Sequence, residues 1–553
     1  MIEGSDASVS ATSAGASSRV LANSLSGSIW TAVSRVSGLA ETIAVGAVLG
    51  ATYLGNTFQS INSLPNIVYY QLLAGSLFAS LLVPPLVRCL DRGDRAGAER
   101  LARGFFGVLL VVGVGFGCIL LAAGPLIMRL LTLGVSDPAT AEAASRVGML
   151  LLVMFVPQIL LYITAGTGGA VMNANGRFAL AAGAPALENA GIITVLIVAA
   201  VVFGTGVDVG SVSNTELILI GLGTTAAVGL HSGTVWLGAR SSGLTLIPRA
   251  GWSDPEVRTV VRRIVPTLAY TGLAASQIFA VFVVADRVRG GLVAFQLAMS
   301  FFYLPSAIVT WPIARALLPQ LVRLHQGDHR EAFRAELLRG VHLASFITIP
   351  TAIAYAVLAV PMARAITFGQ LGTPGGVRMV ALSMASLAAA VVGETWFILG
   401  TYAYYAQQNV RAPLRSMFLR VAVSFVLMAA SWSVHGPAVL PLLGLALSAG
   451  SIVGALHMWA RLRAHLGQGG SPALRPLART IAASICMIIP AALTAWACGR
   501  LPDTQLTQSL SMLAAAIVGV GTYFFVQGRL RAPELGWLKT ALAGLGPVAP
   551  TKE

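Results

Sequence analysis

Apolar runs long enough to cross a lipid bilayer follow one another through this chain, separated by short polar stretches. A membrane-spanning helix needs about 20 predominantly apolar residues. By that measure about fourteen spans are expected, near 29–50, 61–87, 104–125, 147–172, 178–203, 216–237, 264–285, 291–318, 340–361, 379–403, 413–434, 437–460, 480–499 and 508–527. Composition agrees: 56% of the 553 residues are hydrophobic and 10% are charged, whereas soluble domains carry about 25% charged residues. The expected fold class is an all-α polytopic membrane protein.

The net charge of +15 would suggest a nucleic-acid partner in a soluble chain. Here the arginines crowd into alternate loops, as in Arg88, Arg92, Arg95, Arg100 and Arg103, or Arg323, Arg330, Arg334 and Arg339. That is the orientation signal of a membrane protein, so no nucleic acid is expected. Basic loops stay cytoplasmic, and an even number of spans then puts both termini inside. The polar segment 1–28 is expected to be a disordered cytoplasmic tail, with a second tail over 528–553. Cys89, Cys118, Cys486 and Cys498 have no metal-ligand spacing, so neither a metal nor a disulfide framework is expected.

Residues 61–88 carry Asn62, Pro65 and Asn66 at the head of an apolar run. Proline lacks an N–H, and in a bilayer the freed backbone groups need protein or a water-lined cavity. The second span is therefore expected to line a cavity. Its pattern has an echo: Leu64-Pro65 leading to Pro84-Pro85-Leu86-Val87-Arg88 returns as Leu304-Pro305 leading to Pro319-Gln320-Leu321-Val322-Arg323. Two parallel repeats of six helices would fit, an N-lobe over 29–237 and a C-lobe over 264–460. A linker at 238–263 would join them, and two further helices would lie within 461–527. Two Arg-rich segments, 253–264 and 325–340, read as cytoplasmic interfacial helices, the first capped by Ser253 or Asp254.

Ionisable groups inside spans are costly and so are functional candidates. Arg35 is placed to meet an anionic headgroup or to snorkel to the interface. Glu41 lies six residues on, about 600° of helical rotation, so the two do not pair within the helix. Glu41, Glu188 and Glu394 are candidates for holding a proton or sodium ion, or for neutral packing. His231 is expected to be a packed polar residue, and Arg315 and Arg420 to snorkel. Asn56 and Gln59 fall in the expected link between the first two spans. Asn62, Asn66, Tyr69 and Tyr70 follow i, i+4, i+7, i+8 spacing and share a face suited to a sugar or peptide headgroup.

Short motifs in fixed order carry a family resemblance: Ser34-Arg35-Val36-Ser37-Gly38, Leu49-Gly50-Ala51, Leu64-Pro65-Asn66, Val83-Pro84, Asn173-Ala174-Asn175-Gly176-Arg177-Phe178, Leu304-Pro305 and Arg411-Ala412-Pro413. Together they resemble the MurJ/MviN lipid II flippases of the multidrug/oligosaccharidyl-lipid/polysaccharide exporter superfamily, closest to an actinobacterial-type branch. The resemblance implies a flippase that moves a polyprenyl-linked glycan, with lipid II the expected cargo, across the bacterial cytoplasmic membrane. It also implies coupling to Na+, H+ or membrane potential without a bound cofactor. Implied partners are the lipid-linked substrate, membrane lipids and proteins of wall synthesis or division. The chain departs from the family where members place an Arg at Glu41, an Asp at Asn56, an Arg pair at Tyr69-Tyr70 and an Asp-Arg pair at Met299-Ser300. Those arginines form the family's diphosphate clamp. An exporter of another lipid-linked glycan or amphiphile, and a transport-inactive scaffold of envelope synthesis, therefore stand beside the flippase reading. A glycosyltransferase would need a richer set of acids in its outer loops than Asp137, Glu142, Asp208, Asp286 and Asp503 provide.

Overall fold

Short polar residues in the loops start the helices. Asp94 accepts from the Gly97 amide at 2.7 Å, Asp137 from Thr140 at 2.9 Å, Ser213 from Glu216 at 3.1 Å and Thr373 from Gly376 at 3.2 Å. Each satisfies a backbone N–H that the first helical turn leaves without a partner. A computed structural model describes residues 29–67, 82–262, 265–466, 474–500 and 504–536. Most of the described residues are helical, with no strand among them. They fall into two compact units. The first is Met1–Val293 with Phe368–Gln370; the second is Ala294–Thr367 with Leu371–Glu553.

In the first unit α1 covers 29–48, followed by α2 (Tyr53–Ile67), α3 (Val83–Asp91), α4 (Arg95–Ala122) and α5 (Gly124–Leu131). Then come α6 (Pro138–Phe155), α7 (Gln158–Ala174), α8 (Phe178–Phe203), α9 (Asn214–Ser241), α10 (Pro255–Arg262) and α11 (Val265–Ala285). Helix α9 packs against α7 and α8, α2 against α6, and α4 against α7. Phe58, Phe105 and Phe155 are fully buried in this core, with Phe58 and Phe155 meeting edge to face at 5.8 Å.

The chain passes between the units within α12 (Gly291–Pro305). A π-helical turn at Ser306–Thr310 leads into α13 (Trp311–Gln326). The second unit continues with α14 (Arg330–Val357), α15 (Ala359–Ile366), α16 (Pro374–Ala406), α17 (Arg411–Ala430), α18 (Val439–Leu466), α19 (Leu474–Cys486), α20 (Ile488–Cys498) and α21 (Gln505–Arg529). Helix α16 is its axis, with buried residues from Gly376 to Ala406. Helix α18 lies close against it because small residues meet, Gly393 opposite Ser451 and Gly444 opposite Ser386, the usual device for helix approach without a hydrophobic drive. The last helices dock on α14: Tyr523 O–H donates to the Phe346 carbonyl at 2.6 Å, and Phe346, Ala483, Met487 and Tyr523 share one cluster.

Twelve helical stretches among the described residues are long and apolar enough to cross a membrane, and they coincide with the last twelve expected spans. The first expected span is helical over 29–48 but carries Arg35 and Glu41. The second includes residues 68–81, which lie outside the described residues. Its start differs from expectation. Gly50 takes φ +71° to turn the chain, Thr52 Oγ1 accepts from the Gly55 amide at 3.0 Å, and α2 begins at Tyr53. Asn56 and Gln59 are therefore buried helical residues rather than a link. Pro65 lies deep in α2 rather than in its first turns.

Of the two expected interfacial helices, α10 forms, with the Asp254 side chain accepting from the Val257 amide at 3.4 Å and Val257 buried. The segment 325–340 is corrected. It turns at Gly327 and then runs without a break into α14. Phe333 and Leu337, one turn apart, are buried, and Gly340 continues their face against Leu317. That shared apolar stripe makes the Arg-rich stretch the first part of a long helix.

A candidate functional site of buried polar groups within the spans

In the first unit three adjacent helices bring their polar residues to one point. Tyr162 on α7 donates its hydroxyl to Glu188 Oε1 at 2.6 Å, and His231 Nδ1 on α9 lies 2.6 Å from Glu188 Oε2. The three side chains are buried, with 1% (Tyr162), 8% (Glu188) and 3% (His231) exposure, so the cluster is sealed by its own hydrogen bonds. A buried carboxylate with two donors is satisfied, and with imidazole beside it a proton can move between acid and base over one hydrogen bond. His231 is thus packed, as expected, and is also the partner of Glu188.

The next residue extends the arrangement to α1. Asn189 Nδ2 donates to Ser37 Oγ at 2.8 Å and to the Ser34 carbonyl at 3.3 Å. Where α1 crosses α8, Gly38 faces the Asn189 amide and Trp30 covers Gly183. Glu41, one turn further along α1, is half-buried and lies within electrostatic reach of Glu188. Arg35 is exposed. Neither residue appears among the ion pairs of the described residues.

The second unit has a different solution. Glu394 Oε2 on α16 meets Arg420 Nη1 on α17 at 2.5 Å, and the side chains are 15% and 11% exposed. The Arg420 guanidinium also lies 5.2 Å over the Phe397 ring, a cation–π contact. This corrects the snorkelling expected for Arg420: the carboxylate across the helix interface outcompetes the longer reach to water. Arg315 lies 5.9 Å over Trp311.

On α2, Asn62 is buried and its carbonyl accepts from Asn66 Nδ2 at 3.4 Å. Tyr69 and Tyr70 lie outside the described residues. Sequence reasoning missed the other job of α2, which is to hold the turn between α11 and α12. Asn56 Nδ2 donates to the Val288 carbonyl at 2.8 Å and Asn56 Oδ1 accepts from the Leu292 amide at 3.1 Å. Ser60 donates to Asp286 Oδ2 at 2.6 Å. The turn comes so close that a Cβ on Gly290 would collide with the Ala51 backbone. The available signal was the density of Asn, Gln and Ser in 53–62, too polar to face lipid.

The family model described as "Lipid II flippase MurJ" matches residues 45–515. A Vibrio cholerae protein described as "Probable lipid II flippase MurJ" is 25% identical over 431 residues, covering 74% of this chain and 77% of the relative. The solved structure "Lipid II flippase MurJ, inward closed conformation" aligns with a TM-score of 0.71 at 15% identity, over 91% of this chain and 99% of that one. An inward-facing multidrug resistance MATE family transporter of the MOP superfamily aligns with a TM-score of 0.63 at 15% identity, over 79% and 96%. At such identities the structures show a common all-helical transporter fold. The extent of the family match, over most of the spans described above, decides the rest: the chain belongs to the lipid II flippase MurJ family.

Proposed function

We propose that this protein is a transporter, not an enzyme, and that it moves lipid II from the cytoplasmic to the outer leaflet of the bacterial cytoplasmic membrane by alternating access. The observation that carries this reading is the family match over residues 45–515, on a chain with twelve candidate spans among its described residues. Both termini are placed in the cytoplasm, on the strength of the arginine-rich alternate loops. Coupling is assigned to the Glu188–His231–Tyr162 cluster with Glu41. These are titratable groups inside the spans of one unit, where a proton or a cation changes the local charge most. Arg35, exposed on the same helix as Glu41, is assigned to the anionic headgroup. Proteins of wall synthesis or division are the proposed partners.

A second reading, export of another lipid-linked glycan, is favoured by one observation. Met299 is buried and Ser300 is bonded to its own helix at the Gln296 carbonyl, where the family pattern has an acid and an arginine. Depletion in the native organism, followed by analysis of the lipid-linked precursors on the cytoplasmic side, separates the two. Lipid II is expected to accumulate; accumulation of a different polyprenyl-linked glycan with normal lipid II would overturn the first reading.

A further inference from the structure

The turn between α11 and α12 closes over a cavity of about 20 Å³ in the first unit, lined in part by Tyr53, Asn56, Thr57, Thr132 and Asp286. That is room for one water-sized occupant. Asp286 is 5% exposed. Its Oδ2 takes the Ser60 hydroxyl at 2.6 Å, while its Oδ1 is buried and accepts no hydrogen bond.

Three of the neighbouring donors, on Asn56, Thr57 and Thr132, are already committed. Thr57 Oγ1 donates to the Tyr53 carbonyl at 2.8 Å and Thr132 Oγ1 to the Met128 carbonyl at 2.8 Å. Asn56 Nδ2 donates to Val288. A hydroxyl whose hydrogen is engaged offers lone pairs only, and Asn56 Oδ1 keeps one beyond its bond from Leu292. Arg289 is held by Asp208 at 2.9 Å. The wall thus brings oxygen acceptors from Asn56, Thr57 and Thr132 to a buried carboxylate oxygen, beside the Tyr53 hydroxyl and the apolar Met128, Leu131, Val135 and Ala144, and an uncompensated buried carboxylate is costly.

We propose that this cavity binds one small monovalent cation of sodium's size, held by Asp286 Oδ1 with neutral oxygens from Asn56, Thr57 and Thr132. Hard cations take oxygen ligands, and divalent sites usually gather several carboxylates. With one carboxylate the charge balances at +1. The bound ion would tie α2 and the α5–α6 connection to the α11–α12 turn. This goes beyond the transport reading and does not depend on the cargo.

The test uses the full chain in lipid nanodiscs at pH 8, with NaCl compared against N-methyl-D-glucamine chloride at equal ionic strength. Radiolabelled Na+ bound per chain is expected to fall by one in Asp286→Asn. The saturable rise in melting temperature that Na+ gives the wild type is expected to vanish in that variant. Thr132→Val, which keeps the carboxylate, is expected to weaken Na+ binding about tenfold and serves if Asp286→Asn does not fold. Equal Na+ stoichiometry in wild type and Asp286→Asn would overturn the site. So would a wild type that is stabilised by acidification yet indifferent to Na+, since the cavity would then take a proton or water.

Discussion

His231 Nδ1 lies 2.6 Å from Glu188 Oε2, on neighbouring helices and shielded from solvent on both sides. Glu188→Gln keeps an oxygen to accept from Tyr162 but cannot exchange a proton. It is expected to fold normally and to lose the pH dependence of lipid II translocation measured in proteoliposomes. Glu188→Ala removes the carboxylate that the buried Tyr162 hydroxyl and His231 imidazole both meet and is expected to cost about 2–5 kcal/mol, read as a lower melting temperature. Unchanged pH dependence in Glu188→Gln would reduce the cluster to packing.

The Glu394–Arg420 pair gives a different expectation. Removing one partner of a buried ion pair is strongly destabilising, whereas replacing both by apolar groups is often neutral. Arg420→Met alone should lower stability by about 3–5 kcal/mol, and the double variant Glu394→Leu with Arg420→Met should recover most of it. A double-mutant cycle on melting temperature checks this. If the double variant is stable but no longer transports, the pair serves the transport cycle as well as the fold.

Arg35 is exposed on α1 and so can be changed without disturbing the core. Arg35→Ala is expected to abolish translocation at normal expression. Arg35→Lys is expected to keep part of it, since a point charge remains without the bidentate fork. Normal translocation by Arg35→Ala would assign the side chain to the lipid interface alone.

Orientation is open to cysteine labelling in a cysteine-free background. Gly210→Cys and Pro437→Cys are expected to react with an impermeant maleimide added outside intact cells. Arg92→Cys and Glu331→Cys are expected to react only after lysis. Labelling of Arg92→Cys from outside would reverse the topology.

The spans were legible because hydropathy reports contact with lipid, and most of these helices have a lipid-facing side. The same signal misplaced α2, whose Asn56, Gln59, Ser60 and Asn62 are buried among other helices; hydropathy cannot tell a polar residue that faces protein from one in a loop. Glu41, Glu188 and Glu394 stood out as acids in apolar runs. The pairings of Glu188 and Glu394 did not, because Arg420 is 26 residues from Glu394 and His231 is 43 from Glu188, distances that only helix packing closes. Asp286 reads as one scattered loop acid in the sequence, and only the folding of its turn onto Ser60 buries it.

The π-helical turn at Ser306–Thr310 has a consequence for register. A helix advances about 100° per residue, and one wide i→i+5 turn holds a residue more than the α-helix would. Positions before Pro305 and after Trp311 therefore do not share a face by the 3.6-residue rule. Deleting one residue within 306–310 would let the stretch relax to plain α-helix and leave α13 nearly unrotated relative to α12, whereas the same deletion in a purely α-helical part of α12 would turn everything after it by about 100°. The π turn is thus the one place in this stretch where a residue can be lost without changing which side of α13 is presented.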